Sequence, residues 1–298
     1  MPSPITPEIK LLSECSLADA LLAWNEGFKG YFVDMTMSLD DYVSRLHYLF
    51  VSPELSLIAF HAGRPVGFLL NGIRVNNGKT VAWNGGTGVS PDLRGAGIGK
   101  ALVQAALELY RKKEVEVATL EAVSTNERAI NLYKSLGYEV VDRLIFLQRD
   151  GEVDFPKATQ GYSVRASTPH EVGVLDFYDE STPWQTQWQT LTRNNGEALI
   201  VSASDGVEVG YALYRKQLDA QGSLIGIAMH QCRVRAGLGV DEAEAVAICA
   251  LRQVYSPLEV DCHRTTNNFS SSQARILGIL ESAGFTTFIE QAHMSIKL

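Results

Sequence analysis

The sequence predicts an α+β, three-layer fold built twice: each half holds a mixed, mostly antiparallel sheet flanked by helices. Three observations lead there. Residues 5–149 alternate helical and extended patterns in the order helix, helix, antiparallel strands, helix, strand, helix, strand. A Gly-rich turn, Arg94-Gly95-Ala96-Gly97-Ile98-Gly99, joins the central strand to the helix after it. The same order recurs after residue 161, with a second turn at Arg235-Ala236-Gly237-Leu238-Gly239. The expected division is a domain over 1–150, a linker over 151–160 (Gly151, Pro156, no apolar periodicity) and a domain over 161–298.

Taken in order, the apolar stripe Leu11-Leu12, Leu17, Ala20-Leu21-Leu22 and Trp24 predicts a helix over 9–27. An aromatic and methionine-rich link follows (Phe28, Tyr31, Phe32, Met35, Met37), fitting either core packing or the wall of an acceptor pocket. Ser38 caps a second helix over 39–50 ahead of Asp40-Asp41. Strands at 55–60 and 65–73 flank the turn His61-Ala62-Gly63-Arg64, and Asn76-Asn77-Gly78 turns the chain into a strand over 80–89. Gly85, Gly86 and Gly88 inside that strand predict a bulge, or a surface that something approaches closely. A helix from about Lys100, a strand over 115–123, a helix over 127–136 closed by Gly137, and final strands over 138–148 complete the half.

In the second half, strands are expected at 162–165, 198–203, 210–214, 224–234 and 258–262. Helices are expected at 171–180, 184–193, 242–254 and 272–282.

Composition narrows the function classes. Net charge is −8, with 46% hydrophobic and 20% charged residues, an ordinary balance that argues against nucleic acid or an anionic membrane as partner. No apolar run reaches the ~20 residues of a membrane span. Met1-Pro2-Ser3-Pro4 lacks the basic and apolar regions of a signal peptide, so a cytoplasmic location is expected. Four scattered cysteines and six dispersed histidines form no ligand spacing, and no metal is expected.

Two motifs carry the chemistry. One is R-x-x-G-x-G (Arg94, Gly97, Gly99) behind Val89-Ser90-Pro91-Asp92-Leu93. The other is N-x-x-A-x-x-L-Y-x-x-x-G-Y (Asn126, Ala129, Leu132, Tyr133, Gly137, Tyr138). Both in order, about thirty residues apart and each in a fitting structural setting, make residues 5–149 resemble the GNAT superfamily of acyl-CoA-dependent N-acetyltransferases. The tandem arrangement is similar to that of the mycothiol synthase group, without a shared substrate motif.

The resemblance implies acetyl-CoA as acyl donor and a primary amine of a small molecule, amino acid or peptide as acceptor. Backbone amides of Arg94, Gly95, Ala96, Gly97, Ile98, Gly99 and Lys100 would hold the pyrophosphate at the positive end of the helix dipole. Lys100 is either a phosphate partner or an ordinary solvated lysine. Strand residues 85–89 would bond the pantetheine arm, and the Val89 amide is a candidate donor to the thioester oxygen.

Tyr133 stands where the family places a proton donor to the departing thiolate, although a helix tyrosine also packs on strands. Asn126 would cap its helix and bind the cofactor. Glu121 lies opposite Leu120 and Ala122 by strand alternation, as the amine's base or as a solvent-facing carboxylate. The preceding strand offers no acid between Val81 and Val89. An alternative is a non-catalytic acyl-CoA-binding regulator.

The second half reads as a degenerate copy with a structural or acceptor-pocket role. Aligning Gly284-Phe285 on Gly137-Tyr138 places Leu280 at Tyr133 and Gln273 at Asn126, and Leu258-Glu259-Val260 echoes Leu120-Glu121-Ala122. Asp241, Glu242 and Glu244 open its helix and would repel a diphosphate. Residues 151–298 hold 17 acidic against 11 basic side chains, so most of the negative charge lies there.

Overall fold

A computed structural model describes residues 5–76 and 78–298 and divides the chain into two units. One holds the described residues through Val141 together with Ala292–Leu298; the other is Asp142–Gln291. Asn77, at the centre of the second expected turn, and residues 1–4 lie outside the described residues.

The first unit opens differently from expectation. Glu8–Leu11 is a strand, β1, paired antiparallel with β2 (Leu57–His61), and the helix α1 (Leu17–Gly27) begins only after it. The break is chemical: the Ser16 hydroxyl accepts from the Asp19 amide at 3.0 Å, a cap that ends any upstream helix. Ser38 caps α2 (Leu39–Tyr48) in the same way, accepting from the Asp41 amide at 3.2 Å.

The strands β3 (Arg64–Asn76), β4 (Lys79–Val89) and β5 (Val117–Val123) follow, with α3 (Ile98–Lys112) between the last two and α4 (Glu127–Ser135) after them. Their sheet order is β1-β2-β3-β4-β5. On one face Leu57, Ala59, Leu69, Ala82 and Leu120 pack on Leu102, Val103, Ala106 and Tyr110 of α3. On the other, Phe68 packs against Trp24 and Phe28, with ring centroids 5.0 and 5.2 Å away. Helices on both faces make the three layers.

Two features depart from the linear division into 1–150, 151–160 and 161–298. The strand β13 (Thr286–Lys297) ends in the first unit, where Ala292 and Met294 are buried in the core with Leu120 and Tyr138. The run after Gly137, expected as strands over 138–148, is one strand, β6 (Glu139–Arg149). Secondly, 151–160 is no free linker. Val153 and Phe155 are buried in the second unit's core, Phe155 stacks on Tyr255, and Arg252 donates to the carbonyls of Phe155 and Pro156.

The second unit contains β7 (Tyr162–Ser167), α5 (Pro169–Gly173), α6 (Trp188–Arg193), β8 (Glu197–Ala203), β9 (Glu208–Leu218) and β10 (Leu224–Val234). After these come α7 (Val240–Val254), β11 (His263–Thr266), β12 (Phe269–Ser270) and α8 (Ala274–Ser282). Its strands run β6-β11-β10-β9-β8-β7. The two early helices are shorter than expected.

The strand expected at 258–262 is instead irregular, and β11 starts at His263. Beside this run Arg264 is fully buried, and its guanidinium donates to the carbonyls of Gly151, Pro257 and Cys262, so these acceptors are satisfied without a strand partner. No helix among the described residues is long and apolar enough to cross a membrane.

Candidate active site

The parallel ladder between β4 and β5 runs from Val81–Val117 to Asn84–Leu120 and stops. At that point the β3–β4 register shifts between Leu70 and Asn71, making Gly85 an extra residue: the bulge that the strand glycines predict. Past it, a cleft of about 460 Å³ opens in the first unit. Its walls are Thr87, Gly88 and Val89 of β4, the turn and first residues of α3, and Asn126, Arg128, Ala129, Leu132 and Tyr133 at α4. Phe28, Tyr31 and Phe32 close it from the end of α1. Gly88 also serves packing, since a Cβ there would lie 2.5 Å from the Phe68 ring and 3.0 Å from the Gly27 backbone.

Gly97 is the residue before α3 and holds φ at +92°, a left-handed conformation that glycine adopts without strain. It brings no capping side chain, so the first-turn amides of Ile98, Gly99 and Lys100 keep their hydrogens for a ligand. Within the expected set, Arg94, Gly95, Gly97, Gly99 and Lys100 line the cleft, whereas the Ile98 side chain is core.

Arg94 and Ala96 do not fit that role. Their amides bond to the carbonyls of Pro91 and Leu93 at 3.2 and 3.3 Å, and Ala96 is buried. The Arg94 guanidinium is engaged too, donating to Val89 at 3.0 Å, Gly27 at 3.1 Å and Lys29 at 2.8 Å. It braces the turn against the chain leaving α1. Arg128, which the sequence reading missed, is exposed and lines the cleft. A cation in the first turn of a helix opposes the helix dipole, and that was its available signal.

Tyr133 is buried against Tyr138, edge to face at 5.8 Å. Burial raises its pKa above the usual phenol value, which keeps the hydroxyl protonated. Asn126 does cap α4, accepting from the Ala129 amide at 3.2 Å, and lines the cleft with Tyr31. In the aromatic link, Phe28 packs on Trp24 at 4.6 Å and also lines the cleft, while Phe32 lines it as an exposed residue.

Glu121 does not line the cleft, nor is it a solvent-facing residue. It is half-buried, on the sheet face opposite Leu120, and its Oε2 accepts from the Trp83 indole at 2.8 Å. Burial pushes its pKa up to about 7, against the pull of the Trp83 bond and of Arg45. Its Oε1 is buried without a hydrogen-bond partner.

In the second unit the corresponding geometry is blocked. The β10–β11 ladder ends at Met229–Thr266, next to a register shift between Met229 and Gln231, so Asn267 occupies the register of Glu121. The echo at Leu258-Glu259-Val260 is therefore out of register. Leu280 is fully buried, and Gln273 precedes α8 without a capping bond. Glu242 reaches back to accept from the Gly239 amide at 2.9 Å, occupying one of the donors an anion would use. No cluster of three or more His, Cys, Asp or Glu residues able to hold a metal occurs among the described residues.

Across 98% of both chains the fold superposes on a tandem GNAT protein from the clavulanic acid biosynthesis pathway, with a TM-score of 0.64 at 15% identity. The chain thus has the tandem GNAT fold. Residues 20–138 match the family described as the acetyltransferase (GNAT) family. A mycothiol acetyltransferase of Propionibacterium freudenreichii subsp. shermanii is 31% identical over 106 residues, 35% of this chain and 34% of that protein. Another, of Saccharomonospora viridis, is 36% identical over 85 residues, 27% of this chain and 28% of that protein. The matched stretches span about a third of the length of these relatives. The family uses acyl-CoA donors.

Proposed function

We propose that the first unit transfers an acetyl group from acetyl-CoA to a primary amine by direct attack in a ternary complex. The observation that carries this reading is the meeting of Gly97–Lys100, Asn126 and Tyr133 on one cleft, where β4 and β5 separate. The amides of Gly97 to Lys100 hold the pyrophosphate, with Lys100 and Arg128 at the rim adding positive charge. On β4 the Ser90 amide bonds to Val66 of β3, so the neighbouring Val89 amide faces the opposite edge, toward the cleft. There it donates to the oxygen that becomes negative as the amine adds to the thioester carbon. Glu121 takes the amine's proton, directly or through water, and Tyr133 gives its proton to the departing thiolate. A carboxyl titrating near 7 is close to the pH optimum for a base at neutral pH. The second unit, whose corresponding positions hold Leu280, Asn267 and Glu242, takes no part in these steps.

Thiol release from acetyl-CoA with a panel of primary amines tests the reading. Amine-dependent release, with the N-acetyl product seen by mass spectrometry, is the expected result. Tight acetyl-CoA binding without turnover on any amine would instead identify an acyl-CoA-binding regulator.

A further inference from the structure

The chain that leaves α1 carries a row of aromatic rings along the cleft. Phe28 is its inner end: the ring packs on Trp24 and Phe68, and a Cβ built on Gly86 of β4 would lie 3.6 Å from it. The Tyr31 amide then donates to the Phe28 carbonyl at 2.9 Å, closing a tight turn in which Gly30 holds φ at +70°. Tyr31 stands edge to face on Phe28 at 5.0 Å, and Phe32 edge to face on Tyr31 at 5.1 Å. Phe32 lines the cleft yet is 53% exposed, so the row runs from the sheet to solvent. Arg94 fixes its inner end, joining the carbonyls of Gly27 and Lys29, on either side of Phe28, to that of Val89. Singly exposed apolar side chains are ordinary, whereas a row of rings that lines a cleft and ends beside exposed Val33 is a binding feature. Charge points the same way. The charged residues lining the cleft are Arg94, Lys100 and Arg128, with no carboxylate among the described lining residues. Arg94 is spent on three carbonyls, and Lys100 and Arg128 serve the diphosphate. Nothing in the lining is left to pair a second charge on the acceptor.

We propose that the acceptor is an arylalkyl amine: a primary amine with an aromatic ring a few bonds away and no second charge, whose ring packs along Phe28, Tyr31 and Phe32. The inference rests on the acetyltransferase reading and names its acceptor class. A ring set among rings buries apolar area and gains edge-to-face contact. A second ammonium or a carboxylate would instead give up its water without a partner, so polyamines and free amino acids are poor acceptors. A free arylalkyl amine and the first residue of a peptide offer the same ring and amine. Phe32 acts as a specificity residue, and because it is exposed, replacing it leaves the core packed.

The full chain, saturated with acetyl-CoA, is assayed for thiol release in matched pairs: phenethylamine against ethylamine, phenethylamine against phenylalanine, and butylamine against putrescine. The expected result is a kcat/KM for phenethylamine about tenfold to a hundredfold above that for ethylamine, the range set by burying one ring. Phenylalanine and putrescine are each used less well than the partner that lacks the second charge. In Phe32→Ala the ratio of phenethylamine to ethylamine falls about threefold to tenfold, through KM, and Phe32→Tyr keeps it. A Phe-Gly-Gly peptide used faster than phenethylamine identifies the ring as a peptide's first residue, and the reverse identifies a free amine. Equal use of phenethylamine and ethylamine would overturn the inference. So would a Phe32→Ala protein that keeps the ratio and loses acetyl-CoA affinity by calorimetry, since the rings would then belong to the donor. Release with ethylamine, butylamine or putrescine alone sinks this inference only; release with no amine sinks the acetyltransferase reading with it.

Discussion

In the proposed reaction, Tyr133 and Glu121 divide the proton chemistry between the two faces of one sheet. Tyr133 belongs to the core that α3 and α4 cover, and Glu121 to the face where Trp83 and Arg45 lie. Tyr133→Phe is expected to lower kcat by about a hundredfold or more, the usual contribution of a positioned proton donor, with little change in acetyl-CoA affinity. Unchanged turnover removes Tyr133 from the mechanism. For Glu121 the pH dependence has a definite sign. The ionised form is the active base, so kcat/KM rises with pH through about 7, and Glu121→Gln loses that limb. Stability runs the other way. The folded protein holds this proton more tightly than the unfolded chain, whose carboxyl has the usual 4.5, so ionisation erodes stability between about 4.5 and 7. Glu121→Gln, which can still accept from Trp83, should therefore melt higher than the parent at pH 8 and match it near pH 4, by at most about 3 kcal/mol. Equal melting at both pH values would contradict the raised pKa. Tyr133 and Asn126 were legible in sequence because a helix of fixed register carries them behind a motif. Arg45 was not: it sits on an ordinary amphipathic helix, and only tertiary packing brings it to Glu121.

Among the elements, β4 sets the geometry of the site. Its bulge at Gly85 ends the ladder with β5, and its Gly88 lets the end of α1 come close enough for Arg94 to reach Gly27 and Lys29. Gly88→Ala would drive a methyl into the Phe68 ring and the Gly27 backbone. A loss of about 1–3 kcal/mol by urea denaturation is expected, because the contact includes backbone that cannot swing aside. A loss within error would mean that α1 shifts freely. The run Gly85–Val89 was readable as a bulge or a close approach, and it proves to be both. The Arg94 amide departs from the expected set for a physical reason: it is spent on the Pro91 carbonyl, and a motif gives the residue, not the direction of its N–H. The early helix failed similarly, since the stripe at Leu11-Leu12 continues across β1 into α1, and the Ser16–Asp19 cap that separates them is a local, easily overlooked signal.

At the scale of the whole molecule, most of the order of elements could be read from hydrophobic periodicity, and the repeat from two Gly turns. The destination of β13 could not, because strand pairing is non-local and no spacing in the sequence names its partner. Ala292 and Met294 complete the first unit's core, so a fragment of residues 1–150 lacks part of it. That fragment is expected to aggregate, or to melt without a cooperative transition by circular dichroism, and adding a 286–298 peptide should restore acetyl-CoA binding. A sharp melt of the fragment alone would show that β13 is dispensable. The same strand imposes an order in time on a growing chain. Roughly 150 residues separate the first unit's opening run from the segment that finishes it, and at about 5–20 residues per second a ribosome needs on the order of ten to thirty seconds to make them. During that interval the edge that receives Met294 is uncovered, so the unit that holds the candidate site emerges first yet is completed late.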